Sequence, residues 1–329
     1  MVSVTFDSVR YTLNDQETVL DGLSRHGITL PSSCRSGFCQ LCLMKCVSGT
    51  VPAESQSGLK RSWREKQYFL SCICKPDNDI EISLPEDQVS PHIVAEVMSK
   101  EYLNEHTMCV RLHCLQPFNY QAGQYVHIQH ADDPTVIRSY SLASLPASDN
   151  HLEIHVRRVP HGKMSNWIHD DLAVGQRILI SSPQGDCYYG EGHERQGLLL
   201  IATGCGLAPL WGVLRDALKH THSGPIRLFH GGYAPGDLYL DRELLELEEL
   251  HENFSYYPCV ESLGEGANTA KYHQGLVQDI ALGLYPELKR WQVYICGNPN
   301  MVNDTKRRVY LAGAALPDIH IDPFLTCMV

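Results

Sequence analysis

The chain has 329 residues, 43% of them hydrophobic and 20% charged, and a formal net charge of −11. That length accommodates two or three domains with ordinary buried cores, and the acidic balance argues against nucleic-acid binding. The most apolar stretch, Gly197 to Leu214, is interrupted by Thr203, Gly204, Gly206 and Pro209, so a strand, a glycine turn and a helix are expected there rather than a membrane span.

From the N-terminus, Val2 to Phe6 alternates as a strand does, and Val19, Leu20 and Leu23 give Glu17 to His26 helical spacing. Ile80 to Leu84 alternates again. Between these lie Cys34, Cys39 and Cys42, followed by Cys72. This C-x4-C-x2-C…C spacing is that of four thiolates holding a [2Fe–2S] cluster, a one-electron carrier. Structural zinc normally uses two C-x2-C knuckles, and the one residue between Cys72 and Cys74 is too few for the second. No hydrophobic leader precedes Asp7, Asp15 and Asp21, so a cytoplasmic location is expected, with thiols free rather than paired as disulfides. Gly37 is expected where the loop folds tightly and turns backbone N–H groups towards sulfur. Phe38, Leu41 and Leu43 are expected to limit water near the metal. Residues 1–88 thus read as a small α+β domain, and this stretch resembles the plant-type ferredoxins, of β-grasp fold, including Leu70-Ser71 ahead of Cys72. Gln40 departs from the small residue usual at its position in those proteins.

The polar stretch Pro85 to Pro91 reads as a linker. In residues 89–194, the runs Ala95–Met98, Val110–His113, Tyr125–Ile128, Leu152–Val156 and Arg177–Ile180 are short and separated by turn residues, the pattern of an antiparallel barrel. Gly162, Lys163, Met164 and Ser165 open a predicted helix whose unpaired N–H groups suit a phosphate. Arg138 offers that phosphate a charge-assisted contact, and Tyr140 offers an aromatic face to a ring system. Alone, R-x-Y-S is a weak motif, because Arg and Tyr alternate on many exposed strands. With Ala122 to Tyr125 before it, the segment resembles the flavin domain of the ferredoxin–NADP reductase family. The resemblance implies FAD, with Arg138 on the flavin phosphate, Tyr140 against the isoalloxazine and Ser141 near the reactive ring nitrogen. Val156, Arg157 and Gly162 to Ser165 complete the implied flavin site. His161 stands where many relatives have a second glycine.

Residues 195–329 alternate apolar strands with helices. Leu198–Ala202, Ile226–Phe229, Tyr256–Val260 and Gln292–Ile295 are the predicted strands, and a helix runs through Trp211, Leu214 and Leu218. This is the pattern of a doubly wound α/β domain, whose ligand lies beyond the strand C-termini. Thr203-Gly204-Cys205-Gly206 follows a strand and opens a helix, but it lacks the third glycine of the usual dehydrogenase fingerprint. The segments Thr203 to Pro209 and Cys296-Gly297-Asn298-Pro299-Asn300-Met301 instead resemble the pyridine-nucleotide domain of the same reductase family. That resemblance implies a nucleotide site with Cys296 beside the nicotinamide, and Asp322-Pro323-Phe324 resembles the acidic and aromatic positions near the flavin. Ser141, Cys296 and Phe324 are thereby the implied catalytic residues. Relatives often carry an Arg four residues before Asp237-Leu238-Tyr239. Tyr233 stands there in this chain, which favours NADH over NADPH unless Arg227, Lys271 or His230 compensates.

In chain order the three stretches resemble the ferredoxin/FAD/NAD reductase components of bacterial multicomponent oxygenases. NADH gives two electrons as a hydride and the cluster takes one, so a flavin must stand between them. The resemblance implies delivery of electrons from NADH through FAD and the cluster to a terminal oxygenase or its ferredoxin, by a monomer. The alternatives are a reductase for a deoxysugar-forming radical dehydratase, a general flavin reductase and a redox-sensing iron–sulfur subunit without turnover. Cys46, Cys74, Cys109, Cys114, Cys187, Cys259 and Cys327 read as buried or incidental thiols, and Cys205 as a gap-filler in the glycine turn. No second metal is expected from His220, His222, His127 and His130, which lack a carboxylate at metal-site spacing. Asp241 to Glu252 reads as a solvated helix with its leucines inward. Residues 1–88 hold nine Lys/Arg and eleven Asp/Glu, and Lys60, Arg61, Arg64 and Lys66 form a basic cluster suited either to a solvated loop or to an acidic docking partner.

Overall fold

The computed structural model describes residues 2–59, 61–85, 92–146, 148–264 and 271–325. The expected linker from residue 86 on, the boundary at residues 88 and 89, and also Lys60 and Cys327 lie outside the described residues.

The first unit is a five-stranded sheet. It contains β1 (Ser3–Phe6), β2 (Val9–Thr12), β3 (Leu43–Ser48), β4 (Tyr68–Leu70) and β5 (Ile80–Ser83), with α1 (Val19–Arg25) and the short α2 (Arg61–Glu65). The strand order is β2-β1-β5-β3-β4, and the β1–β5 pair is parallel. Val4, Phe6, Ile80 and Ile82 alternate inward onto Val19, Leu20 and Leu23 of α1, forming one apolar core. Helix α1 starts later than its spacing suggests, because Thr18 caps it by accepting from the Asp21 N–H at 3.1 Å. Glu17 is then outside the helix and binds Arg25.

The second unit contains β6 (Ile93–Tyr102), β7 (Thr107–Cys114), β8 (Tyr125–Gln129), β9 (Ile137–Ser141), β10 (Leu152–Arg157), α3 (Lys163–Asp170) and β11 (Arg177–Ile180). The order is β10-β7-β6-β11-β8-β9, with antiparallel pairs throughout. A bridge between Leu142 and Ile154 joins the two ends and closes the sheet into a barrel. The R-x-Y-S segment is itself a strand, β9, although it reads too polar to be recognised as one. Its register sets Ser141 opposite Tyr125 and Tyr140 opposite Val126.

The third unit is a wholly parallel sheet. Its elements are β12 (Gly197–Thr203), α4 (Leu207–Lys219), β13 (Ile226–Gly232), α5 (Asp241–Leu250), β14 (Phe254–Val260), β15 (His273–Gln274), α6 (Val277–Leu284), β16 (Trp291–Gly297), α7 (Pro299–Leu311) and β17 (Ile319–Pro323). The order is β15-β14-β13-β12-β16-β17. Period-two alternation splits β12: Leu198, Leu200 and Ala202 pack with α4 and α5, and Leu199 and Ile201 with α6 and α7. Helices on both faces make the sheet doubly wound. The expectation that the α5 leucines all face inward fails at Leu245 and Leu250, which are 39% and 75% exposed, so the apolar stripe narrows to Leu244 and Leu247. Among the described residues, no helix is long and apolar enough to cross a membrane.

Candidate active site

The four candidate ligand cysteines of the first unit converge as two pairs. The Cys34 thiol lies against that of Cys39, and the Cys42 thiol against that of Cys72. Two sulfurs per pair is the donor arrangement that two tetrahedral irons require, so the residues fit the group. The loop is wound tightly: Gly37 has φ +83, and a Cβ there would lie 2.8 Å from Ile73 Cδ1. Arg35 and Gln40 are also left-handed, at φ 54 and 57. Gln40, the departure noted in the sequence, holds that turn by donating from Nε2 to the Gly58 carbonyl at 3.2 Å. Donors to sulfur come from the Ser36 and Cys39 N–H groups, onto Cys34 Sγ at 3.5 and 3.3 Å, and from the Cys34 N–H onto Cys39 Sγ at 3.5 Å. Contact with Cys39 is the main cause that brings the Cys34 thiol down to about 5, whereas Cys39 and Cys42 are pushed up by their thiol partners and by burial. Leu41 and Leu43 are buried as expected, but Phe38 is 41% exposed. Ser71 ties the fourth ligand's strand to the loop, its Oγ donating to the Cys42 carbonyl at 2.9 Å.

This loop walls one end of a cleft of about 1440 Å³ that runs between all three units. Cys34, Cys39, Arg138, Tyr140, Ser141, Arg157, Gly162 to Ser165, Thr203, Gly204, Tyr233, Gly297, Met301 and Phe324 line it. Two helix N-termini open into the cleft, those of α3 and α6, and neither has a side-chain cap. Their first-turn N–H groups remain available to phosphate oxygens. Helix α7 differs, since Asn298 caps it by accepting from the Asn300 and Met301 N–H groups. His161, just before α3, holds φ 60, a left-handed turn for which glycine is the usual residue. Close backbone approach at the glycine turn is real: a Cβ on Gly206 would lie 2.2 Å from the Cys296 carbonyl oxygen. A two-phosphate flavin and a two-phosphate nicotinamide therefore fit this cleft by charge, room and backbone donors.

At its centre, Ser141 Oγ donates to Asp322 Oδ2 at 2.8 Å. Burial pushes the Asp322 carboxyl up to about 6, although this hydrogen bond acts in the other direction. Asp322 sits opposite Cys296 in the β16–β17 register. Burial also raises Tyr140. Towards the cluster, the Tyr125 hydroxyl donates to the Cys39 carbonyl at a long 3.3 Å, while its ring faces the same cleft. Ile137, at the start of β9, packs on Cys39 and Leu41.

Several sequence-predicted residues lie behind the cleft wall rather than on it. Val156 faces the barrel core, Cys296 is fully buried, and Gly206, Pro209 and Pro299 lie outside the lining, as do Cys42 and Cys72. Conversely, Tyr125, Cys187, Glu261 and Asn298 line the cleft without having been singled out as site residues. The acidic residue at the end of β14 was the one signal available for Glu261; Cys187 carries none. Of the three residues named as compensating for Tyr233, Arg227 is held by Tyr285 Oη, the Ile226 carbonyl and the Asn253 carbonyl. Lys271 is held by Asp241, and His230 is fully buried, its pKa lowered by that burial to about 4.

Family models match in the same order along the chain: a 2Fe-2S iron-sulfur cluster binding domain over residues 4–77, an oxidoreductase FAD-binding domain over 94–189 and an oxidoreductase NAD-binding domain over 200–307. The reductase subunit of an aromatic O-demethylase from Amycolatopsis sp. is 32% identical over 296 residues, covering 87% of each chain. The ferredoxin–NAD(P)+ reductase component of the naphthalene 1,2-dioxygenase/salicylate 5-hydroxylase systems of Ralstonia sp. is 30% identical over 93% of each. Among solved structures, an Amycolatopsis cytochrome P450 reductase superposes with a TM-score of 0.70 at 29% identity, covering 98% of this chain and 99% of that one. The chain belongs to the family of three-domain ferredoxin–NAD(P)+ reductases, in which an iron–sulfur, an FAD and an NAD domain share one polypeptide.

Proposed function

We propose that this protein is the NADH-dependent reductase component of an oxygenase system, taking a hydride into FAD and passing single electrons through the [2Fe–2S] centre to a terminal oxygenase or its ferredoxin. The observation that carries this reading is the shared cleft: Cys34 and Cys39 stand in the same wall as Tyr140, Ser141 and the glycine turn. The flavin, when bound, supplies the conversion between a two-electron donor and a one-electron acceptor. Arg138 and the α3 N-terminus at Gly162 to Ser165 bind the flavin phosphates in this reading, with Arg157 beside them and Tyr140 against the ring. Thr203, Gly204, Gly297 and Met301 bind the nicotinamide nucleotide. Ser141 places a hydroxyl that Asp322 orients, Cys296 sets the floor behind it, and Phe324 shields the site from water. Cys34, Cys39, Cys42 and Cys72 hold the iron, in a centre whose potential in plant-type proteins is roughly −400 mV.

Preference for NADH follows from charge. Glu261 directly follows β14 in the cleft wall near Tyr233, where a carboxylate accepts from a ribose 2′-hydroxyl and repels a 2′-phosphate. Replacing it, Glu261→Lys, should shift the kcat/KM ratio from NADH towards NADPH by about tenfold or more, the equivalent of one charge-assisted contact. An unchanged ratio would remove Glu261 from the specificity argument.

The central test is Cys42→Ser in the flavin-loaded protein. NADH oxidation with ferricyanide should persist, because the flavin can be discharged directly, while cytochrome c reduction should fall by about 10²-fold or more. Loss of both activities in a folded, yellow protein, or of neither, would refute the relay. The relatives belong to an aromatic O-demethylase and to dioxygenase systems, and reduction assays against a cytochrome P450 and a dioxygenase would decide between those acceptor classes.

A further inference from the structure

Cys187 and Cys296 lie 109 positions apart in sequence, and their sulfurs come within 3.5 Å. Cys187 is 5% exposed and lines the cleft; Cys296 is wholly buried behind it. Three other thiols outside the cluster ligands are turned elsewhere: Cys205 towards Thr107, Cys259 towards the Tyr257 carbonyl and Cys46 towards the Ser48 carbonyl.

We propose that these two thiols form a modification site, a dithiol that small hydroperoxides close to a disulfide. In the first step the peroxide O–O bond breaks and Cys187 becomes a sulfenic acid with release of water, or of an alcohol from an alkyl hydroperoxide. In the second, the Cys296 thiol displaces hydroxide from that sulfur as water, forming the S–S bond. Two electrons pass from the sulfur pair to the peroxide. The division of labour follows position, since an attackable cysteine with a resolving thiol beside it is the arrangement of redox-responsive sites.

The backbone decides which residue moves. Cys296 is held in the middle of the sheet, its strand paired with β12 on one side and β17 on the other. Cys187 lies on the irregular segment between β11 and β12. Bond formation needs the sulfurs to close from 3.5 Å to about 2.05 Å, and with Cys296 fixed in the sheet that movement falls to the Cys187 side. That segment also carries Asp186, another residue of the cleft wall. Closure therefore displaces the part of the cleft wall that carries Asp186 and Cys187. The expected consequence is a reversible block on NADH oxidation, placed at the entry of electrons rather than at the cluster.

The test uses the holoprotein treated with substoichiometric hydrogen peroxide, or with diamide to spare the cluster, followed by alkylation and non-reducing peptide mapping. A Cys187–Cys296 linked peptide should appear, and bound NAD+ should slow its formation. NADH–ferricyanide activity should fall by about 10²-fold in the linked fraction, the cost of a displacement of about 1 Å at a reacting centre, and dithiothreitol should restore it. In Cys187→Ser, measured against its own untreated activity, the dithiothreitol-reversible loss should vanish. Absence of the linked peptide, or the same reversible loss in Cys187→Ser, would overturn the proposal. Linkage with unchanged ferricyanide activity would overturn the block on electron entry. The mapping needs no turnover, so it remains readable even if the reductase reading fails.

Discussion

Asp322 shows how a single side chain can serve the site at the expense of the fold. Its carboxyl is pushed up to about 6 by burial, despite the bond from Ser141. The folded chain thus holds this proton more tightly than the unfolded one. The group favours folding below about pH 4 and loses that contribution as pH rises through about 6. Asp322→Asn should therefore stabilise the cofactor-free protein at pH 7.5 by about 1–2 kcal/mol, a value reduced for the open cleft, with the gain disappearing below about pH 4. Flavin reduction by NADH should slow in the same variant. Denaturant titrations at the two pH values check the first part and stopped-flow absorbance the second; equal stabilisation at both pH values would exclude titration as the cause. At this scale the sequence was legible where spacing is local. Cys34, Cys39 and Cys42 declare their chemistry within nine residues, and Arg138, Tyr140 and Ser141 within four. It was silent where partners are distant, as with Cys187 and Cys296 or Tyr125 and Cys39, 86 positions apart. No local pattern encodes those meetings.

At the level of elements, α1 has a role beyond closing its core. Its first N–H groups donate to the segment carrying the last ligand: Val19 N–H to the Cys74 carbonyl at 2.9 Å and Leu20 N–H to the Ser71 carbonyl at 3.1 Å. The helix start and the position of Cys72 are therefore one structural unit. Removing the cap by Thr18→Ala should cost about 1 kcal/mol and hasten loss of the cluster on dilution into chelator, followed by its visible absorption. Unaltered cluster lifetime with lowered thermal stability would separate the two roles. Most elements were readable from period, including β11 at Arg177–Ile180 to the residue. Strand β9 escaped because Arg138, Ser139 and Tyr140 are only half-buried, so its inward alternation is carried by Ile137 and Ser141 alone. The α5 stripe was overread because leucine content was counted without regard to which turn meets the sheet.

Across the whole molecule, the joints differ in kind. Barrel and nucleotide units are clamped by the bidentate Arg215–Asp149 pair, Lys219–Ser148, Arg157–Asp237 and Asn104 to the Asp237 carbonyl. A buried chain adds to them. Glu153, held down to about 2 because His155 and Arg111 outweigh its burial, binds His155, which meets Tyr239 across the joint. The iron–sulfur unit meets the barrel through the Tyr125–Cys39 hydrogen bond and the small patch of Cys39, Leu41 and Ile137. Tyr125→Phe should leave flavin reduction by NADH unchanged and slow flavin-to-cluster transfer by roughly 2–10-fold, the equivalent of a 0.5–1.5 kcal/mol hydrogen bond. A slowed hydride step, or unaltered transfer to the cluster, would show that Tyr125 does not act at this joint. The seat of that first unit has one more effect. With Cys34, Phe38 and Gln40 forming an end of the cleft, the iron–sulfur unit is itself a wall of the chamber, so any movement of that unit would change how far solvent and dissolved gases enter it.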